Sequence, residues 1–347
     1  STWSGTLYAV DLYTKNIIWQ HDSTSSGYNP HLSYDSLIIT GTDKIRAFNI
    51  YTGKVEWRIE PYSGFSTNFT SVLEDNTLYV EEYNQDKTIA ISLETKEISW
   101  QSFFEGSHLV LGDQAYVTNS FSAPDLVSLD KLSGNYNWGF NLDPNNTSAA
   151  AVISSQPVLF ENNLYFGDNI GRIYSVNANS GEKNWSKDLG LFQESYGAPI
   201  IHNNHLLIPV ENKIYAINPT TSVSEWIYSC NLSYYGNYAH INSAPFVYEN
   251  KLIACAEING NSRIFSIDAD NGNLVWEKDF DETIKSSPIV FENSVFIGSW
   301  NNKLYEIDMD NGNIIKEFTV NNKISNPPVI IIGIGEEVIY PNTCGMQ

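Results

Sequence analysis

The sequence has few charged residues, and positive charge is especially scarce. Charged residues make up 17% of the 347-residue chain, and 40 acidic residues stand against 19 basic ones, which gives a formal net charge of −21. Arginine occurs only four times. A surface of this charge repels polyanions. The composition therefore excludes nucleic acid and anionic lipid as partners.

Long apolar runs and cysteine motifs are also missing. The longest apolar candidate, residues 327–335, has the length of a strand, so no transmembrane segment is predicted. Cys230, Cys255 and Cys344 form no CxxC pair, which argues against a metal cluster and leaves open one disulfide or buried free thiols. Because the chain begins at Ser1 without a signal-like segment, we expect a processed form or a piece of a longer protein.

An eleven-residue repeat dominates the sequence. Its eight copies are AVDLYTKNIIW (9–19), AFNIYTGKVEW (47–57), AISLETKEISW (90–100), SLDKLSGNYNW (128–138), SVNANSGEKNW (175–185), AINPTTSVSEW (216–226), SIDADNGNLVW (266–276) and EIDMDNGNIIK (306–316). Seven of the nine tryptophans share the last position: Trp19, Trp57, Trp100, Trp138, Trp185, Trp226 and Trp276. Lys316 takes that position in the eighth copy. Such regular placement predicts a repeat architecture.

Each copy has the pattern of a β-hairpin. Its third residue is Asp, Asn or Ser, whose side chain can accept hydrogen bonds from the backbone that follows. In most copies Gly or Asn then supplies a tight turn, since these residues tolerate positive φ. The returning strand ends at the Trp position. The repeat therefore predicts an antiparallel strand pair at every copy.

A second hairpin precedes the repeat. It consists of two apolar runs around a Glu-Asn or Asn-Asn turn, as in residues 155–168, 197–210, 243–256 and 286–299. Nearly continuous apolar runs indicate strands that are covered on both faces. One unit is then four antiparallel strands in 38 to 50 residues, which is the size of one β-propeller blade.

Counting these units predicts an all-β fold, an eight-bladed β-propeller of four-stranded antiparallel blades. The first repeat hairpin has no hairpin before it, and the last apolar hairpin, residues 326–342, has no repeat after it. We therefore expect residues 324–342 and 1–20 to form the last blade together. This pairing of N- and C-terminal strands would close the ring and remove its free edges. On this interpretation residues 1–347 are a single domain.

The repeat resembles the pyrroloquinoline-quinone (PQQ)-type repeat, A-x-D-x-x-T-G-x-x-x-W, over essentially the whole chain. The resemblance implies that each Trp packs flat between neighbouring blades and that the seam at Lys316 is packed differently. Proteins with this repeat include PQQ-dependent dehydrogenases and non-catalytic scaffolds, among them BamB-like outer-membrane assembly proteins and the luminal sensor domains of some stress kinases. In character the chain is most similar to the BamB-like propellers.

The features of the dehydrogenases are largely missing. The resemblance implies for such enzymes two adjacent cysteines beside the quinone, a calcium ion, a catalytic Asp and a longer chain. This sequence has no adjacent cysteines, only four arginines for a tricarboxylate cofactor, and no HExxH, GxSxG, P-loop or GxGxxG motif. We predict no catalytic residue, no metal and no cofactor. A PQQ- and calcium-dependent alcohol or sugar dehydrogenase is the alternative.

Two repeat copies, 266–276 and 306–316, also resemble calcium loops in their Asp, Asn and Gly residues. A helix–loop–helix calcium loop needs Gly at position 6 and Glu at position 12. Counted from Asp268, these positions hold Asn273 and Asp279. Other copies carry Asn or Ser in place of Asp268, so the sequence favours a turn-forming acceptor over a metal ligand.

The loops between blades carry the candidate binding residues. In a propeller these loops share one face with the turns between second and third strands, and the repeat turns lie on the other face. The candidates are Phe65, Phe104, Tyr196, Tyr228, Tyr234, Tyr235, Tyr238, His240 and Trp300. Two interpretations are open: an exposed aromatic rim that contacts a peptide or glycan, or rings that pack down on the core.

A set of basic residues stands five positions before the turn acceptor in six copies: Lys44, Lys87, Arg172, Lys213, Arg263 and Lys303. Such a ring would suit an anionic partner. Carboxylates nearby in sequence favour local ion pairs instead.

The sequence therefore predicts a non-catalytic binding or scaffold propeller that contacts a protein or peptide through its inter-blade loops. The alternatives are the PQQ-dependent dehydrogenase and a carbohydrate-binding surface module. We expect an extracytoplasmic location, at the cell surface, in the periplasm or secreted.

Overall fold

The computed structural model describes residues 6–14, 16–22, 32–41, 44–60, 71–82, 87–104, 108–119, 123–142, 151–189, 197–234, 237–241, 243–324 and 326–331. These residues form 32 β-strands and no helix. Within them there is accordingly no helix with the length and hydropathy needed to cross a membrane.

The first strand pair and the first three blades use fourteen strands. An N-terminal hairpin consists of β1 (Thr6–Val10) and β2 (Ile17–Asp22). Blade 1 contains β3 (Leu32–Tyr34), β4 (Leu37–Gly41), β5 (Ile45–Asn49) and β6 (Val55–Ile59). Blade 2 contains β7 (Ser71–Glu74), β8 (Thr77–Glu82), β9 (Lys87–Ser92) and β10 (Ile98–Ser102). Blade 3 contains β11 (His108–Leu111), β12 (Ala115–Thr118), β13 (Leu126–Leu129) and β14 (Tyr136–Phe140).

The remaining strands form four more blades and a small hairpin. Blade 4 contains β15 (Val158–Phe160), β16 (Asn163–Gly167), β17 (Arg172–Asn177) and β18 (Lys183–Asp188). Blade 5 contains β19 (Ile200–His202), β20 (His205–Val210), β21 (Lys213–Ile217) and β22 (Ser224–Ser229). The hairpin of β23 (Ser233–Tyr234) and β24 (Asn237–Tyr238) follows. Blade 6 contains β25 (Phe246–Tyr248), β26 (Lys251–Ile258), β27 (Asn261–Asp268) and β28 (Leu274–Phe280), and blade 7 contains β29 (Ile289–Phe291), β30 (Ser294–Gly298), β31 (Lys303–Asp308) and β32 (Ile314–Thr319).

The prediction of eight four-stranded blades is wrong. The structure has seven such blades, and β1 pairs with β2 alone in the described part of the chain. Residues 324–342 were expected to pair with residues 1–20 in a closing blade. Of these, residues 326–331 form no strand, and residues 332–342 lie outside the described residues. Pro327 and Pro328 have no N–H groups to donate to a strand ladder, which is a physical reason why this segment leaves β1 unpaired.

The core is divided among the seams between blades. One apolar cluster joins blades 1 and 2 through Ile39, Ile45, Val80 and Ile89, and similar clusters lie between each further pair up to blades 6 and 7. The first strands of blades 2 to 5 contact their neighbours in turn, as do those of blades 6 and 7, which places the first strands nearest the axis. In blade 4 the second and third strands are buried almost throughout, whereas the fourth strand has exposed and half-buried residues only. The prediction of strands covered on both faces is confirmed.

The turns of the repeat are built as predicted. In all eight copies the side-chain oxygen at the third position accepts a backbone N–H two or three residues later, at 2.6–3.3 Å. Asp268 Oδ1 accepts from Asp270 and Asn271, and Asp308 Oδ1 does the same in its own turn. These two carboxylates therefore serve as turn acceptors, as Asn49 does in blade 1.

The repeat tryptophans link each hairpin to the next. Each lies opposite the Ala or Ser at the first repeat position, beside a ladder irregularity. The small residue leaves room for the indole. In five cases the indole N–H donates to a carbonyl in the next repeat turn at 2.7–3.1 Å: Trp19 to Ile50, Trp100 to Lys131, Trp138 to Ala178, Trp185 to Pro219 and Trp276 to Met309.

The seam between blade 7 and the N-terminal hairpin is built differently. Lys316 stands in the Trp position, and Glu306 lies opposite it where the other copies have Ala or Ser. A cleft of about 650 Å³ lies at this seam and is lined from both sides, by Leu12 and Trp19 of the hairpin and by Phe296 of blade 7. The loss of the large indole is one reason why this seam is less completely filled.

Candidate functional site on the loop face

Backbone hydrogen bonds tie the inter-blade loops to the turns between second and third strands. After blade 5, the N–H of Cys230 donates to the carbonyl of Asn212 at 2.8 Å, and the Asn212 side-chain amide donates to the Cys230 carbonyl at 3.0 Å. The N–H of Ile241 donates to the Glu211 carbonyl at 2.7 Å. The described part of this loop is therefore held against the propeller by its main chain.

Two of the candidate aromatic residues pack down on the blades. Phe104 stacks on Tyr136 with ring centroids 5.6 Å apart and contacts the apolar cluster between blades 2 and 3. Tyr228 lies 4.9 Å from Phe265 in the cluster between blades 5 and 6, where burial raises the pKa of its hydroxyl. Both rings therefore pack down on the core and do not belong to an exposed aromatic rim.

The structure describes less of the remaining candidate residues, apart from Trp300. His240 is exposed, and its backbone pairs with that of Glu257 in β26. Tyr234 and Tyr238 belong to the small hairpin, but their side chains are not described. Phe65, Tyr196 and Tyr235 lie outside the described residues. Their role in partner binding stays a prediction.

Trp300 has the most defined surroundings of the candidates. It is half-buried in the turn between β30 and β31, and its N–H donates to the Thr283 carbonyl at 2.9 Å. The ammonium groups of Lys285 and Lys323 lie 4.9 Å and 4.5 Å from its ring centroid. Sequence reasoning selected Trp300 because it lies off the repeat position. It missed both lysines, since they come from the loops before and after blade 7 and share no motif.

The basic residues of the third strands form local ion pairs. Lys44 pairs with Glu60, Arg172 with Asp188, Arg263 with Asp279 and Glu277, and Lys303 with Glu317. Three of these pairs cross from the third to the fourth strand of one blade, and Lys44 and Glu60 lie at the adjoining ends of β5 and β6. Ion pairing within the blade is therefore confirmed for these four residues, but the partners lie 14 to 16 positions away and are not the carboxylates close by in sequence.

A buried carboxylate organises one turn of the loop face. Asp168 accepts the N–H groups of Ile170 at 3.0 Å and Arg172 at 2.8 Å, and the Tyr174 hydroxyl donates to it at 3.1 Å. Burial raises the pKa of Asp168, while these hydrogen bonds lower it. Because all three donors belong to the same turn and strand, Asp168 fixes the shape of the turn between β16 and β17.

One histidine is held in its neutral form. His108 begins the inner strand β11, and burial lowers its pKa to about 4. Its Nδ1 lies 3.2 Å from the Thr118 hydroxyl oxygen. At neutral pH the ring is therefore uncharged and belongs to the packing of blade 3.

Solved structures with the same fold include BamB and a quinohemoprotein alcohol dehydrogenase. The chain superposes on BamB from Moraxella catarrhalis with a TM-score of 0.68 and 14% identity, covering 88% of this chain and 91% of that one. It superposes on the quinohemoprotein alcohol dehydrogenase ADHIIG from Pseudomonas putida HK5 with a TM-score of 0.70 and 12% identity, covering 90% of this chain and 69% of that one. At these identities the similarity establishes the fold alone.

The described arginines do not fit a tricarboxylate quinone. Arg172 lies 3.7 Å from Asp188, and Arg263 makes bonds of 2.6 and 2.9 Å to Asp279. Arg46 and Arg58 lie opposite each other in blade 1, so the four residues are spread over three blades and do not converge. Cys230 and Cys255 are buried free thiols, not an adjacent bridged pair.

Sequence comparison identifies the family. An uncharacterized protein of Rickettsia conorii, RC0314, is 24% identical over 225 residues, which is 58% of this chain; the chain spans about half, 52%, of the length of that relative. The family model described as outer membrane protein assembly factor BamB matches residues 4–228 and 191–318. The chain therefore belongs to this BamB family of PQQ-like β-propellers.

Proposed function

We propose that the chain is a non-catalytic scaffold that binds a protein or peptide partner through its inter-blade loops. The observation that carries the proposal is Trp300, a half-buried aromatic residue held on the loop face by the backbone of the neighbouring loop. Aromatic residues in fixed positions are the usual anchors of protein interfaces. The family description as an assembly factor supports the same conclusion.

The test is retention of a partner by the tagged chain and by variants of the loop face. Cross-linked partners of the wild type are identified by mass spectrometry, and their recovery is then measured for a Tyr234→Ala/Tyr235→Ala/Trp300→Ala variant. We expect recovery of the partner to fall at least tenfold, since interface anchors contribute about 2 kcal/mol or more each.

The control removes exposed apolar side chains from the opposite face. Tyr13 and Leu132 lie in repeat turns and are 77% and 87% exposed. A Tyr13→Ala/Leu132→Ala variant should keep the partner. If this variant loses the partner and the loop-face variant keeps it, the proposed binding face is wrong.

The two alternative functions predict other outcomes. A PQQ-dependent dehydrogenase should retain quinone absorbance after PQQ and calcium are added and unbound quinone is removed, and it should oxidise alcohols. A carbohydrate-binding module should bind on a glycan array. Either result, without a protein partner, would replace the scaffold proposal.

We also propose an extracytoplasmic location, because the family description refers to the outer membrane. Fractionation of cells that express the natural full-length protein tests this. Recovery in the cytoplasmic fraction alone would contradict it.

A further inference from the structure

Two lysines converge on one tryptophan of this acidic protein. Several described rings have a single ammonium group nearby, such as Phe103 beside Lys87 at 5.2 Å. Trp300 differs, because the ammonium groups of Lys285 and Lys323 both lie within 5 Å of its ring centroid. Two of the 19 basic residues of a chain with net charge −21 are thus concentrated at one side chain.

Main-chain hydrogen bonds hold the three segments that supply this cluster. The N–H of Trp300 donates to the Thr283 carbonyl at 2.9 Å, and the N–H of Ile324 donates to the Ser299 carbonyl at 2.9 Å. The N–H of Val320 donates to the Asn302 carbonyl at 2.8 Å. The loops before, within and after blade 7 therefore form one platform, so a ligand would not have to order them on binding.

The carboxylates around the cluster neutralise it only in part. Glu257 lies 3.8 Å from the Lys285 ammonium group, at the outer limit of an ion pair. The Glu282 carboxylate accepts a hydrogen bond from the Tyr305 hydroxyl, and Glu317 forms an ion pair with Lys303. Among the described residues no carboxylate pairs with the Lys323 ammonium group, and Lys323 is exposed.

We propose that Trp300, Lys285 and Lys323 form a binding site for a carboxylate-bearing segment of a protein partner. This proposal rests on the scaffold function and names the chemistry of one contact in it. Two ammonium groups beside one ring can bind the carboxylates of adjacent Asp or Glu side chains, while the indole keeps the two ammonium groups close together. The rest of the acidic surface repels an acidic segment, so this local positive charge determines where such a segment binds.

A peptide fits the cluster better than an acidic sugar. Sugars stack on open aromatic faces, and here two ammonium groups already lie over the ring. Side-chain carboxylates approach the ammonium groups without needing that face.

The test is a fluorine NMR titration of the whole chain labelled with 5-fluorotryptophan. The resonance of Trp300 among the nine tryptophans is assigned by its loss in Trp300→Phe. The probe is the capped peptide Gly-Glu-Glu-Gly-Glu-Glu-Gly. The control is the same peptide with every Glu replaced by Gln, which carries no charge. We expect the Glu peptide to shift the Trp300 resonance saturably and the Gln peptide to leave it unchanged.

Two charge variants test the lysines. Lys285→Gln/Lys323→Gln should weaken binding of the Glu peptide about tenfold, the sum of two modest charge pairs. Lys54→Gln/Lys183→Gln removes the same charge from remote blades and should keep the affinity within about twofold. The other tryptophan resonances report whether each variant is folded.

Several outcomes would overturn the proposal. These are an unchanged Trp300 resonance at millimolar Glu peptide, equal shifts with both peptides, an affinity that the two lysine substitutions leave intact, or a response to oligogalacturonate but not to the Glu peptide. The scaffold function fails separately, because it is judged by partner retention and not by this titration.

Discussion

The contact between each repeat Trp and the next turn can be tested at Gly181. This residue has φ +73°, and a Cβ built on it would lie 2.6 Å from Cε3 of Trp138 in the preceding blade. Trp138 also donates its indole N–H to the Ala178 carbonyl at 3.1 Å. Gly181→Ala should therefore disturb both the local backbone and the link between blades 3 and 4.

The expected cost follows from three terms. An Ala residue in the left-handed region costs about 1–2 kcal/mol. Moving the indole out of a packed seam costs about 1–3 kcal/mol, and loss of its hydrogen bond costs about 1 kcal/mol. The free energy of unfolding should fall by about 3–6 kcal/mol in total.

Gly260→Ala is the matched control. Gly260 has φ +84°, but the nearest atom to its added Cβ would be the Thr283 hydroxyl oxygen at 3.9 Å. Only the backbone term applies there, so this variant should lose about 1–2 kcal/mol. Urea unfolding followed by circular dichroism measures both.

A double-mutant cycle separates the steric term from the backbone term. In a Trp138→Ala background, Gly181→Ala should cost no more than Gly260→Ala does in the wild type, because there is no indole to displace. If Gly181→Ala costs the same with and without Trp138, or no more than Gly260→Ala in the wild type, the inferred contact does not stabilise the seam.

Three further predictions concern the seams, an ion pair and the half-buried His108. Trp276→Ala should lower the free energy of unfolding by about 3–5 kcal/mol, whereas Lys316→Ala, at the same repeat position but exposed, should change it by less than about 0.5 kcal/mol in urea unfolding. The hydrogen bond from Arg263 lowers the pKa of Asp279 below 3.8, so the ion pair stabilises the fold fully above pH 3.8 and loses this effect as pH falls through the lowered pKa. Arg263→Ala should therefore cost at most about 1 kcal/mol at pH 7 and less in acid. Equal losses at pH 7 and in strong acid would contradict this. Because the pKa of His108 falls from 6.5 to about 4 on folding, stability should decrease by up to about 3 kcal/mol as pH drops between these values, and His108→Gln should flatten that part of the thermal stability profile.

The repeat made the local structure predictable from the sequence. Turn acceptors such as Asp268 and strand residues such as Trp276 lie within eleven positions of each other, so the repeat alone predicts the hairpin. The strand itself continues past Trp276 to Phe280, which the sequence pattern did not show. The four-stranded blade followed from the apolar runs before each copy. The small residue opposite each Trp is visible in the sequence as well, and Glu306 opposite Lys316 marks the exceptional seam.

The number of blades and the candidate site depend on contacts that no local pattern contains. A closing blade requires pairing between the two chain ends, and an apolar run such as 327–335 does not specify its partner. At Trp300, the neighbouring Lys285 and Lys323 come from separate loops whose lengths vary between blades. Only the packing of those loops brings the charges together.

The direction of the indole hydrogen bonds has a consequence for how such a chain evolves. In each of the five cases the donor belongs to one repeat and the acceptor to the following one. Deleting or duplicating one such repeat removes or adds one donor and one acceptor together, so the remaining indole hydrogen bonds keep their partners. Blade number is therefore open to change by duplication of a gene segment.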